Sequence, residues 1–413
     1  MDPETPENEK LLVIGHQWPE PRATAAGVRI IQLLRSFQQS GCEITFASAA
    51  SPGLYGTPLE AMGIRMLPIR LNHDSFDRFL AKERFDAVLF DRFMTEEQFG
   101  WRVREVLPKA RLVLDTEDLH ALRHSREKAL ARGMAWQAED WVADPLFPRE
   151  LASIFRCDLS LIISRAEMDL LLTHLPSLEG KLFYCPFQMP QETGRQPSHG
   201  EREGFLFVGN GRHRPNLDAI AVLREHIWPA LSAELPGVPI HICGAYLPQA
   251  ILDLHAPELG FEVLGWVPDL RPVMQGARLQ LAPLRFGAGI KGKLLSALSF
   301  GLPTLTSSVG WEGILEADPQ SPWRADSPGE FTKKAVALYR DQALWDQCLR
   351  ALSEAAAPHY GTGRLDLALG QVSKRPGKAG KEALIIQRLL RDQAFDRLRY
   401  LSKWIEAKES HQN

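Results

Sequence analysis

With 413 residues the chain exceeds one ordinary globular unit, and its 45% hydrophobic and 24% charged residues exclude wholesale disorder; two or three packed domains are expected. A net charge of −3 lacks the global positive field of a general nucleic-acid binder, so no nucleic-acid partner is expected. Apolar runs fall short of the roughly 18 residues of a membrane span, the leader MDPETPENEK is unlike a signal peptide, and five scattered cysteines without ligand spacing read as free thiols. A cytoplasmic protein without a metal site is expected.

In chain order, KLLVIG (10–15) reads as a buried strand that ends in a loop carrying His16, Trp18 and Arg22. Val28, Ile31, Leu34 and Phe37 recur at helical spacing, Gly41 stands where that helix would stop, and 43–47 is a second strand. Strand, helix and strand in this order make a parallel crossover unit. Further strands are expected at 87–90, 112–114 and 159–163, with helical stretches over 96–106 and 119–149. The passage 185–204, CPFQMPQETGRQPSHGEREG, is rich in Pro, Gly and Glu and reads as a linker.

Beyond it the strand pattern restarts at 205–208, 239–243, 261–264, 279–284 and 303–306, with a long helix over 217–235. The expected fold class is α/β, two doubly wound Rossmann-like domains facing across a cleft, spanning 1–190 and 200–370. Residues 331–356 and 382–406 read as helices, and 371–413 joins a basic run, SKRPGKAG at 373–380, to the second of them. On that last helix Ile385, Leu389, Phe395, Leu398, Leu401 and Ile405 form an apolar stripe, with Arg388, Arg391, Arg397 and Arg399 interspersed. It reads as a helix docked on the rest of the chain, with peripheral contact at the inner face of a membrane as the alternative.

Two loops carry chemistry. FLFVGNGRHRPNLDAI (205–220) leads from a strand through Gly209, Asn210 and Gly211, past Arg212 and Arg214, into a helix. Free N–H groups and fixed positive charge there suit a phosphate. LAPLRFGAGIKGKLLSALSFGLPTLTSSVGWEG (281–313) repeats the arrangement with Gly287, Gly289 and Gly292 flanked by Arg285, Lys291 and Lys293. Two anion-ready loops in one domain suit a diphosphate.

On FVGNGRHRPNLDAI, HICGA, EVLGWVPDL and APLRFGAGIKGKLLSALSFGLPTLTSSVGWEGI, the 205–314 stretch resembles the group 1 (family 4-like) nucleotide-sugar glycosyltransferases of the GT-B fold, and the amino-terminal half resembles them in architecture. The resemblance implies transfer of a sugar from a nucleotide diphosphate sugar, without cofactor or metal, to a glycan, lipid-linked, protein or small-molecule acceptor. It implies that Arg212, Arg214, Lys291 and the amides of 287–292, Ala288 and Ile290 included, stabilise the leaving diphosphate, with Gly27 of ATAAGVR nearby. Asp269 of GWVPDL is implied to stand at the base pocket beside Trp266 and Val267, or else to cap the helix that follows.

LDTEDLH resembles the acceptor-side loop in which relatives often carry a His-Asp pair. Asp118 matches the aspartate, Glu117 occupies the histidine position, and a small shift brings in His120. His16, Trp18, Arg22, Asp91 and Arg92 follow strands on the same edge and are acceptor-side candidates. Relatives usually carry two glutamates in the second glycine loop and its helix, one assisting the sugar and one binding the donor ribose; Ala288 and Ser296 stand there instead. A serine hydroxyl still bonds a ribose but lacks the charge with which a carboxylate accepts two hydroxyls. That leaves a rearranged donor site, an unusual donor, or a non-catalytic glycosyltransferase-like binding protein. Glu312 of VGWEG stands near the same cleft, as a substitute carboxylate or an ordinary turn residue.

Overall fold

The structure, a computed structural model, describes residues 9–190, 192–315, 318–361, 363, 365–366 and 379–410, with backbone alone at 393–397 and 410. It contains two parallel sheets. The first is built from β1 (Lys10–Gly15), β2 (Glu43–Ser48), β3 (Arg65–Pro68), β4 (Ala87–Asp91), β5 (Arg111–Asp115), β6 (Leu159–Ile162) and β7 (Leu182–Tyr184), in the order β3-β2-β1-β4-β5-β6-β7. The second is built from β8 (Phe205–Val208), β9 (Ile240–Cys243), β10 (Phe261–Gly265), β11 (Leu279–Ala282) and β12 (Thr304–Thr306), in the order β10-β9-β8-β11-β12. Strand order reverses between β1 and β4 and between β8 and β11, where the loops at the strand ends diverge and leave a crevice.

The continuous apolar runs are explained by helices on both faces. In the central strands Leu12, Ile14, Val88 and Phe90 enter one buried layer, and Leu11, Val13 and Leu89 the other. The two strands absent from the sequence reading, β3 and β7, are the edges of the first sheet, short and only partly buried, and so lack such a run.

Several helices differ from expectation for local reasons. The helix expected at 217–235 is Arg214–Val222, a wide π turn Leu223–Ile227, and Trp228–Glu234; Pro229 has no N–H for the regular ladder at that junction. The stretch 331–356 breaks at Asp341, whose carboxylate accepts from the Leu344 amide at 3.0 Å and starts Gln342–Tyr360 after Pro328–Arg340 has ended. The stretch 119–149 is three helices, His120–Ala131, Ala138–Val142 and Phe147–Arg156.

The expected linker is a packed crossing. Cys185 and Phe187 are buried, and the buried Arg202 donates to the carbonyls of Pro197, Met274, Ala277 and Phe300 at 2.7–3.1 Å. The Met189 amide donates to the Tyr360 carbonyl at 2.8 Å, and by Leu365 the chain is buried again in the core of the first sheet.

The terminal helix Lys381–Ser410 packs on Phe93–Val106 and Phe147–Arg156. Its seat is partly polar: Gln387 donates to the Cys157 carbonyl at 2.8 Å, and Arg391 to the Arg156 carbonyl at 2.7 Å and to Asp158 at 2.9 Å. Ala383, Gln387 and Ser402 face inward with Ile386 and Leu390, which pack on the core of the first sheet; of the expected stripe, Ile385, Leu389 and Leu401 face outward and Leu398 and Ile405 are half-buried. The side chains of Phe395 and Arg397, and most of the basic run at 373–380, lie outside the described residues. Among the described residues no helix is long and apolar enough to cross a membrane.

Candidate active site

The facing strand ends enclose a cleft of about 490 Å³. On its amino-terminal wall, the buried Arg29 grips Asp115 at the end of β5, Nη2 to Oδ1 2.9 Å, and so fixes the loop that begins at Thr116. Glu150 receives the amides of His120 and Ala121 at 2.8 and 3.2 Å, and Glu167 receives that of Leu119 at 2.9 Å. Between these anchors Glu117, Asp118 and His120 line the cleft together with Arg92 and Arg123. Arg92 and Glu117, with φ of 72° and 60°, hold the left-handed backbone that non-glycine residues rarely adopt, a strain concentrated at functional sites.

The carboxyl-terminal wall comes from both glycine loops, with Gly209, Asn210 and Arg212 in one and Gly287, Ala288, Ile290 and Lys291 in the other, and Ser296 behind them. The loops of the two walls touch. Gly289, at φ 62°, donates its amide to Glu167 at 2.8 Å, and a Cβ there would stand 2.7 Å from that of Asp118, so only glycine fits. Arg126 forks onto both Glu312 oxygens at 2.6 and 2.7 Å and onto the Gly287 carbonyl at 2.8 Å. Asn210 donates to the Ala23 carbonyl at 2.9 Å.

Charge in the cleft is uneven. Arg22, Arg92, Arg123, Arg212, Lys291 and Lys293 line it against two carboxylates, Glu117 and Asp118. Burial, then Asp115 and Asp91, pushes Glu117 up to about 8, so it is protonated at neutral pH; its Oε1 is buried with no hydrogen-bond partner among the described residues. Burial also opposes the charge of Asp118, but Arg123 and His120 hold that carboxyl well below its ordinary value. His120, its Nε2 3.4 Å from Asp118, is lowered to about 3 by burial and is a neutral imidazole. Neighbouring carboxyls driven apart in this way divide into a proton donor and a charged acceptor. Burial, and then Lys291, lowers Lys293 to about 7.

Other expected residues lie elsewhere. Trp18 is buried, its Nε1 donating to the Ala50 carbonyl at 2.7 Å and its ring packed on Phe46, so it serves the core. Arg285 is exposed and paired with Asp218, and Arg214 is exposed and paired with Glu127, so neither lines the cleft. Asp269 accepts from the Arg271 amide at 2.9 Å in a turn ahead of the helix Arg271–Gly276, whose cap position is Leu270, and it lies outside the lining. Gly27 lies in the first turn of Ala25–Gln39, where a Cβ would stand 2.4 Å from the Glu20 backbone; its role is close packing. Asp91 is buried and receives the His16 amide at 3.0 Å, outside the lining itself, as are His16 and Gly289. Glu312 is committed to Arg126 and stands 3.9 Å from Lys291, so it is an interdomain anchor.

Sequence reasoning missed Arg123, Arg126, Glu150 and Glu167. The two arginines sit three residues apart on the helix after LDTEDLH, a spacing that shares one helix face; the glutamates look like ordinary helix residues.

Residues 202–341 match the family profile of glycosyl transferases group 1. No curated protein matches the chain. A glycosyltransferase from Rickettsia africae ESF-5 superposes with a TM-score of 0.62 at 9% identity over 92% of this chain and 99% of that one. Anabaena Alr3699/HepE in complex with UDP-glucose gives 0.64 at 13% identity over 88% and 99%. WaaG, a glycosyltransferase involved in lipopolysaccharide biosynthesis, gives 0.58 at 14% identity over 88% and 98%. The molecule thus has the two-sheet GT-B fold of these glycosyltransferases. Its second sheet lies wholly within the stretch that matches the group 1 profile.

Proposed function

We propose that the protein transfers a sugar from a nucleotide diphosphate sugar to an acceptor in the cleft. The excess of cations over carboxylates in the lining carries this reading: it suits a diphosphate held by Lys291, Lys293 and Arg212 and by the glycine-loop amides. The amides and lysines stabilise charge as the diphosphate leaves, without metal. Protonated Glu117 donates a hydrogen bond to an acceptor or donor hydroxyl, and neutral His120, oriented by Asp118, takes the acceptor proton. The Anabaena protein is solved with UDP and with UDP-glucose, which supports a nucleotide-sugar donor here.

Calorimetric titration with nucleoside diphosphates and their sugars tests the reading. Binding should weaken about tenfold or more in Lys291→Ala and Arg212→Ala, each of which removes a charge-assisted contact. Absence of binding by any nucleotide would overturn it. The carboxyl-terminal wall has no lining carboxylate among the described residues, which favours a non-catalytic binding protein as the second reading; donor binding without hydrolysis or transfer to any acceptor would select it.

The likeness to WaaG supports an acceptor from bacterial-type glycan or glycoconjugate synthesis, and the alternative to a merely docked terminal helix is contact with the inner face of a membrane. What supports that contact is the terminal helix, whose outward Leu384, Ile385, Leu389, Leu401 and Trp404 stand among Arg388, Lys403 and Lys408. Flotation with anionic vesicles, reduced in Leu389→Ser, is the expected outcome.

A further inference from the structure

On the reading that the cleft holds a nucleotide diphosphate sugar, its carboxyl-terminal wall also bears on the nucleotide's own pentose. Next to the cationic stretch at Lys291 and Lys293, Val208, Val267, Leu270, Met274 and Phe300 form one apolar patch in the lining. Ser296 lies four residues before Phe300, hence on the same face, and lines the cleft with it.

A ribose presents neighbouring 2′ and 3′ hydroxyls, which a carboxylate accepts together. No described residue of this wall offers one; Glu117 and Asp118 belong to the other wall. His213 aside, its neutral polar side chains are Asn210, Asn216, Ser296 and the Trp266 indole. Asn210 is engaged by the Ala23 carbonyl at 2.9 Å and the Arg212 amide at 2.7 Å. Asn216 donates to the Asn210 carbonyl at 2.9 Å and accepts from Lys293 at 2.5 Å. The indole N–H donates to the Arg22 carbonyl at 3.3 Å. The Ser296 hydroxyl remains, with no side-chain hydrogen bond to another described residue.

One hydroxyl set in an apolar patch matches a pentose with one hydroxyl. We propose that the donor is a 2′-deoxynucleoside diphosphate sugar, with Ser296 pairing the 3′-hydroxyl and the apolar patch meeting the deoxy carbon. A 2′-hydroxyl against that patch loses its water and gains no partner. Such pockets reject an added hydroxyl only moderately, by about a hundredfold at most.

The test is calorimetry on the full chain with the ribo and 2′-deoxy forms of uridine, guanosine and adenosine diphosphate, compared within each base. The deoxy form should bind about tenfold tighter for the base that is accepted. Equal or tighter binding of the ribo form overturns the inference and leaves the nucleotide-sugar reading standing; failure of every nucleotide to bind overturns both. Ser296→Glu should reverse the preference toward ribose. Should that variant misfold, Ser296→Ala should weaken the 2′-deoxynucleotide while leaving the 2′,3′-dideoxy form unchanged. Equal losses for the two would count against the assigned contact.

Discussion

Glu117 combines a left-handed backbone, a carboxyl oxygen buried with no hydrogen-bond partner among the described residues, and a proton held up to about pH 8. An ordinary glutamate ionises near about 4.3, so between these values the unfolded chain has lost a proton that the folded chain keeps. Stability from this group is therefore full below about 4.3 and declines as pH rises toward 8. Glu117→Gln should match the parent's thermal midpoint near pH 4.5 and exceed it increasingly up to pH 8.5; parallel midpoint curves would refute the protonated state. The LDTEDLH loop was legible because a strand ending in acidic residues at a sheet edge is a local pattern. Glu150 and Glu167, which hold the loop in place, were not, because their partners are backbone amides brought near by folding.

Among the elements, strands buried on both faces announced themselves as short apolar runs, and β1 and β8 begin and end where the sequence put them. Edge strands and the breaks at Asp341 and Pro229 were harder to read, since they depend on exposure and on single backbone groups. The terminal helix shows the limit most plainly. Of its expected stripe Ile385, Leu389 and Leu401 point outward and Leu398 and Ile405 are half-buried, while Ile386 and Leu390 pack on the first core beside the Arg156 carbonyl and the Asp158 carboxylate, which accept from Arg391. Arg391→Ala should thus lower stability by about 1–3 kcal/mol, by removing the charged donor that those two acceptors share, whereas Leu389→Ser should leave the midpoint nearly unchanged. Chemical denaturation of both variants distinguishes a helix held by polar contacts from one held by its stripe.

At the scale of the molecule, the halves are joined by Arg126 on Glu312, Glu167 on the Gly289 amide, Asn210 on Ala23, and Tyr246 on Glu20 at 2.6 Å. Tyr55 stacks on Trp266 at 4.4 Å beside the last of these. Such cross-domain pairs leave no trace in sequence, because each partner is ordinary on its own element. Arg126→Ala removes the fork and leaves Glu312 near Lys291 alone; the radius of gyration in solution scattering should rise, and nucleotide affinity should fall about tenfold.

The crossing at Met189 and the return past Tyr360 lie side by side, joined by a backbone hydrogen bond, and the last helix completes the surface of the first sheet. Topologically the second sheet is thus an insertion in a loop of the first unit, entered and left through one doorway. A module attached in that way is exchangeable: a foreign domain with closely spaced ends can be spliced between the same two joints, and on the proposed function the nucleotide preference of the chimera would travel with the insert while the LDTEDLH wall stays behind.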